Sequence, residues 1–160
     1  MGNEGLKTVL PFLTDLAQNN NRSWFQENRE RYDIARQAVL DLTAVLIDEI
    51  GKFDSQVRYL QPKDCLFRIY RDTRFSLDKS TYKRHFGTYI APNGGHRSLF
   101  SGYYIHLQPG SCMLSGGIWC ADNQGIKRFR SYIDTEYDEL FDIMAQPDFK
   151  QYFGESLTSF

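Results

Sequence analysis

"FQENRERYDIARQAVLDLTAVLIDEIGKF", Phe25 to Phe53, decides the fold class. Phe25, Asn28, Tyr32, Ala35, Val39, Leu42, Leu46, Ile50 and Phe53 recur in steps of three and four, with charged and amide side chains between them. That is the period of a helix with one apolar face, so the stretch predicts a long amphipathic helix with its charges outside. Such a stripe must be buried against a second layer. Gly51 lies near its end, and the residues through Pro62 read as a connector.

Working back toward the N-terminus, Leu6, Val9, Leu10, Leu13, Leu16 and Ala17 form a shorter helical stripe, in which Pro11 is compatible only with the first turn. Asn19, Asn20 and Asn21 follow. Asparagine suits both the residue that closes one helix and the cap that opens the next, so the run predicts a tight helix-to-helix corner. Ser23 with Gln26 offers an alternative capping box.

Working forward, the period changes at Cys65. Phe67 and Ile69 alternate with Leu66, Arg68 and Tyr70, which predicts a strand of about six residues, with Arg71 and Asp72 where it leaves the sheet. "GTYIAP", Gly87 to Pro92, reads as a second strand, and "NGGHRS" as a turn that Gly94 and Gly95 allow to fold back. Tyr103 to Gln108 and Cys112 to Trp119 read as a hairpin joined by Pro109, Gly110 and Ser111. A last helical stripe runs through Ile126, Phe129, Ile133, Tyr137, Leu140, Phe141 and Met144, opened by Asp122 or Asn123 and closed before Pro147. The expectation is one α+β domain over residues 1–160. Its sheet is mainly antiparallel and built from hairpins, with an N-terminal helical pair and a later helix packed on one face.

A chain of 160 residues can bury a full core without disulfides or metals. Phe, Tyr and Trp make up 15% of it, so that core is expected to be aromatic. The net charge of -1 argues against general coating of nucleic acid or anionic membrane, and any basic site must be local. Cys65, Cys112 and Cys120 lack the paired spacing of a zinc or redox motif and sit in or beside apolar runs, as buried thiols do. No leader pattern and no bilayer-length apolar run is present, so a reduced, cytoplasmic protein without a membrane anchor is expected. HExxH, GxxxxGK[ST], GxSxG and GxGxxG are all absent, and neither a cofactor nor a metal is expected.

Four segments taken in order, "FLTDLAQNNNRSWFQENRERYDIA", "FRIYRDTRFSLDKSTYKRHFG", "GYYIHLQPG" and "GGIW", resemble the conserved bacterial and fungal family catalogued as a domain of unknown function, DUF2461. The resemblance covers nearly the whole chain, and its RxYRDxRFSxDKxxYK segment is specific. Family members usually carry Pro where this chain has Thr81, which implies a slightly looser loop. They commonly continue for some tens of residues past the position of Phe160, which implies that a C-terminal extension is lacking here. The resemblance supports the fold and the site and brings no reaction with it.

The same segment is the candidate site. Between Arg68 and Arg84 stand Arg68, Arg71, Arg74, Lys79, Lys83 and Arg84 against Asp72 and Asp78, an excess of four positive charges. Arginines converging on one loop can hold a multivalent anion in bidentate hydrogen bonds. Strand alternation puts Arg68 and Tyr70 on one face, together with Tyr104 and His106 of the hairpin. The predicted ligand-binding set is Arg68, Tyr70, Arg71, Asp72, Arg74, Asp78, Lys79, Tyr82 and Lys83, with Ser115 or Trp119 beneath the loop and His106 as candidate general acid or base.

The preferred ligand is a phosphorylated or carboxylated small molecule. Single-stranded nucleic acid ranks below it, by phosphate pairing and stacking on Tyr70, Phe75, Tyr82 and Phe86. A protein-interaction surface and a purely structural network complete the set. In the structural reading Asp72 pairs with Arg74 or Arg71, Asp78 caps a turn or pairs with Lys83, and Ser76 caps the turn. Metal binding by His85, His96 and His106 is disfavoured by neighbouring cations, and Cys112 or Cys120 with His106 as a nucleophilic pair is weaker than a buried thiol. In "NNNRSWFQENR", Trp24 and Phe25 read as the start of the buried stripe, while Arg29 would reach the sheet site from the helix start.

Overall fold

Residues 3–72, 74, 77–118 and 121–154 are described by the structure, a computed structural model. The fold is α+β, with seven helices and a three-stranded antiparallel sheet among these residues. The chain divides into two units, Met1–Trp119 and Cys120–Phe160.

The first stripe forms α1, Asn3–Gln18. Pro11 lies in the middle of this helix and not in its first turn. Its ring and Lys7, whose carbonyl loses its N–H partner to the proline, are both on the exposed side, where water can serve that carbonyl. Burial of Val9, Phe12, Leu13 and Leu16 on the other side outweighs a proline cost of about 3 kcal/mol.

The Asn corner forms as expected, and each asparagine has its own task. The Asn19 amide group donates to Asp15 O, closing α1, and Asn21 Oδ1 accepts the Trp24 N–H at 3.0 Å, opening α2, Arg22–Glu27. Asn21 is therefore the cap, and Ser23 turns instead to Glu27. The predicted long helix is broken at Asn28, whose backbone N–H and side-chain Nδ2 both go to Trp24 O. α3 then runs over Arg29–Ile50.

The buried face of α3 passes through Tyr32, Ala35, Val39, Thr43, Ile47 and Ile50. Leu42 and Leu46 are only partly covered and Phe53 is exposed, because the partner changes along the helix. α1 covers the first half, where Gly5 lies against Ala38, and the sheet covers the second, where Thr43 meets Thr88.

After the short α4, Pro62–Cys65, the strands are β1, Phe86–Ile90, β2, Ser101–Leu107, and β3, Met113–Ile118, in the order β1-β2-β3. The β2–β3 hairpin is the one predicted, with Tyr104 opposite Ser115. Cys65 is buried as expected, but Cys112 is exposed in the hairpin turn. "LFRIY" is extended without forming a regular strand. It meets the free edge of β1 through one bridge, Leu66 to Thr88, and the segment before β1 through another, Tyr70 to Tyr82, and every residue of β1 is buried.

In the second unit the expected single helix is three: α5, Asn123–Thr135, α6, Tyr137–Ala145, and α7, Pro147–Phe153. Asp122 caps α5 through the Gly125 N–H, and Pro147 starts α7.

Candidate functional site

The charged loop is held at its base by a short antiparallel pairing. Arg71 N–H donates to Thr81 O at 3.0 Å, Lys83 N–H donates to Ile69 O at 2.8 Å, and Tyr70 bridges Tyr82. Tyr82 is 1% exposed, its ring stacked on Phe25 with centroids 4.0 Å apart. This predicted ligand residue is therefore part of the core and offers no face to a ligand.

Both acids of the loop tie it to itself. Asp72 accepts from Arg74 Nε at 3.0 Å and Nη2 at 2.6 Å, and these bonds hold its carboxyl down at about 2. Asp78 accepts from the Ser80 N–H at 2.8 Å and from Arg71, which together keep it well below the usual carboxylate range. The expected Asp72–Arg74 pair and the Asp78 turn cap both form, whereas Asp78 takes Arg71 as its ion-pair partner in place of the expected Lys83. Ser76, Phe75, Trp119 and Cys120 lie outside the described residues.

The edge pairing contains an irregularity that shapes the site. Between the bridges Leu66–Thr88 and Tyr70–Tyr82, three residues on one side, Phe67 to Ile69, face five on the other, Lys83 to Gly87. The surplus forms a bulge, a device that re-aims side chains at sheet edges. It carries Arg84 and His85.

Two clefts result, with Lys83 lining both. The first, about 450 Å³, is lined by Arg71, Asp72, Asp78, Arg84, His85 and Gln108 besides Lys83. The second, about 440 Å³, takes Arg68 and Tyr70 together with Phe67, Leu66 and Ile69, Tyr32 and Arg36 of α3, and His96 and Arg97 of the β1–β2 connection. The single concave surface expected from alternation is thus divided. Arg68, Tyr70 and Lys83 meet in one cleft, and Arg71, Asp72, Asp78 and Lys83 in the other. Arg74 and Lys79 line neither, and Arg29 pairs with Asp33.

Beside the first cleft, the His85 and His106 rings lie 4.3 Å apart. His106 Nδ1 meets the Tyr104 hydroxyl at 2.9 Å, and Nε2 meets Gln108 Oε1 at 3.2 Å. The tautomer with its proton on Nε2 satisfies both partners, which fits an anchored ring better than a free acid or base. Burial pushes His85 down to about 4, with His106, Lys83 and Arg71 adding to the effect.

The second cleft differs in its charge. Arg36, Arg68, Lys83 and Arg97 line it with no carboxylate among the lining residues. Lys83 lies over the Phe67 ring, 5.3 Å from its centroid, and its pKa is lowered by burial first and by Arg68 second. Arg97 and His96 are placed by the Asn93-Gly94-Gly95 turn, in which all three residues have positive φ. A Cβ on Gly95 would stand 2.6 Å from Asp64 O, so only glycine lets the turn seat against α4, where the His96 ring meets the same carbonyl.

Sequence reasoning left Arg36 and Arg97 out of the candidate site and weighed His96 only as a metal ligand. The signals were present: Arg36 lies one turn after Tyr32 at the border of the buried stripe, and Asn-Gly-Gly directly precedes His-Arg.

The family model described as a conserved hypothetical protein, DUF2461, matches residues 8–159. The chain belongs to this family. No curated protein and no solved structure matches it. The DUF2461 match spans both clefts and all three strands of the sheet. Among the described residues of this DUF2461 chain, no helix is long and apolar enough to cross a membrane, and no group of three or more His, Cys, Asp or Glu is placed to hold a metal ion.

Proposed function

We propose that the protein binds a small phosphorylated or carboxylated molecule, and that the anion sits in the cleft of Arg36, Arg68, Lys83 and Arg97. The observation that carries this reading is the unbalanced charge of that cleft. Four cations surround about 440 Å³, and among the described residues none of the four is within ion-pair distance of a carboxylate. Holding like charges together in a partly desolvated place is unfavourable, and the lowered pKa of Lys83 is one expression of it. A bound anion relieves that repulsion, and two or more guanidinium groups can grip phosphate or carboxylate oxygens at once.

The first cleft is a weaker candidate, since Asp72 and Asp78 already supply its counter-charge. The nucleic-acid reading loses two of its stacking rings, because Tyr82 and Phe86 are in the core.

The test is a thermal-shift series with phosphorylated and carboxylated metabolites at constant ionic strength, on the parent protein, Arg68→Gln and Lys83→Gln. A ligand that binds only the native state raises the melting temperature with concentration. The expected result is a rise in the parent that both variants lose. Equal rises in parent and Arg68→Gln, or no rise with any anion, would overturn the assignment. Arg71 is a poor choice of probe, because it also ties the loop through Asp78 and Ser80.

A further inference from the structure

We infer that the ligand of the Arg68 cleft is a phosphate monoester of a flat aromatic group, with its ring on Tyr70 and its phosphate among the cations. This rests on the anion-site reading above and narrows it to a ligand class. The charge argues for phosphate. A carboxylate brings one negative charge, whereas a phosphomonoester brings close to two and three acceptor oxygens, a better match to four cations around one cleft.

Tyr70 supplies the ring surface. It is 45% exposed, yet it is not loose: on its inner side it packs against Tyr82, with centroids 5.2 Å apart, and against Phe25 at 6.2 Å. Those two rings are themselves stacked and fully buried, so Tyr70 is an aromatic surface held in place before any ligand arrives. Stacking on a pre-positioned ring loses little conformational freedom. Tyr70 is two residues from Arg68 along the extended segment and lines the same cleft, so one ligand can reach both. The other rings are less available. Phe67 carries Lys83 over its face, and Tyr32 is stacked on Phe86 and buried.

Calorimetric titration of inorganic phosphate, glycerol phosphate and phenyl phosphate at fixed ionic strength tests this. Phenyl phosphate is expected to bind about tenfold more tightly than glycerol phosphate, the size of one aromatic stacking contact. Tyr70→Leu should abolish that preference. Tyr70→Phe should keep it, which separates the ring from the hydroxyl and guards against a folding defect in the leucine variant. Equal affinity for phenyl and glycerol phosphate, or a preference that survives Tyr70→Leu, overturns the ring assignment while leaving the anion site standing. If none of the three probes binds, this narrower reading falls, and the carboxylated metabolites of the thermal-shift series decide whether the anion site falls with it.

Discussion

The side-chain amide of Asn20 hydrogen-bonds both backbone groups of Tyr82, accepting its N–H at 2.9 Å and donating to its carbonyl at 3.0 Å across 62 residues of chain. Asn20 thereby does what a neighbouring strand would do for an otherwise one-sided segment, and it fastens the helical corner to the base of the charged loop. Asn20→Ala leaves two part-buried backbone groups without partners and should cost about 2 kcal/mol in urea unfolding. Asn20→Asp keeps the acceptor, loses the donor and sets a charge against the Tyr82 carbonyl, so it should be no better than alanine. A change below about 0.5 kcal/mol would show that the clamp is not formed in solution.

Gly102 in β2 lies where a side chain has no room. A Cβ there would stand 2.5 Å from both Ala91 Cβ and the Ile90 carbonyl oxygen. The carbonyl belongs to the backbone at the end of β1 and cannot retreat without disturbing the pairing that carries the site. Gly102→Ala is expected to destabilise by about 2 kcal/mol or more, measured by thermal or denaturant unfolding.

His85 makes stability depend on pH in a defined window. Its pKa falls from an ordinary 6.5 to about 4 on folding, burial being the largest cause. Between those values the unfolded chain binds the proton and the folded one resists it. Stability should therefore be intact above pH 6.5 and fall as the pH drops toward 4, by roughly 2 to 3 kcal/mol in all. His85→Gln should flatten the profile over that window. The carboxylates Asp72 and Asp78 act lower, losing their contribution only as the pH falls below about 4. An unchanged pH profile in His85→Gln would show that the ring is not buried as described.

The two described cysteines should differ sharply in reactivity. Burial drives the Cys65 thiol up to about 12, with Asp64 adding to the effect, whereas Cys112 is exposed. Iodoacetamide followed by peptide mass spectrometry is expected to label Cys112 in the native protein and Cys65 only on unfolding. Labelling of both at similar rates in native buffer would contradict the packing of α4 beneath β1.

Much of this architecture was legible in the residue pattern because it depends on neighbours in the chain. Helical period, the asparagine corner and the β2–β3 hairpin are set within a few residues of each other, and each formed close to where its signal lies. The breaks at Asn28 and Glu136 were not visible, because the helical period of apolar residues runs on across both; the tolerance of Pro11 was not visible, since it turns on which side of α1 faces water. The site shows the same division. The residue order alone located an excess of cations between Arg68 and Arg84, the Asp72–Arg74 pair and the turn capped by Asp78, but not the pairing of Asp78 with Arg71. Only the folded chain decided that Tyr82 turns into the core on Phe25, and that Arg84 and His85 stand in a bulge. It alone brought Arg36 and Arg97, from distant segments, to Arg68 and Lys83. The reason is that periodicity is a local property, whereas pairing register is not. The mismatch of three residues against five arises only when both flanks of the edge are anchored, and it carries Arg84 and His85 to the cleft of Arg71, while the odd spacing of Arg68 and Arg71 along the extended segment sends Arg68 to the other cleft.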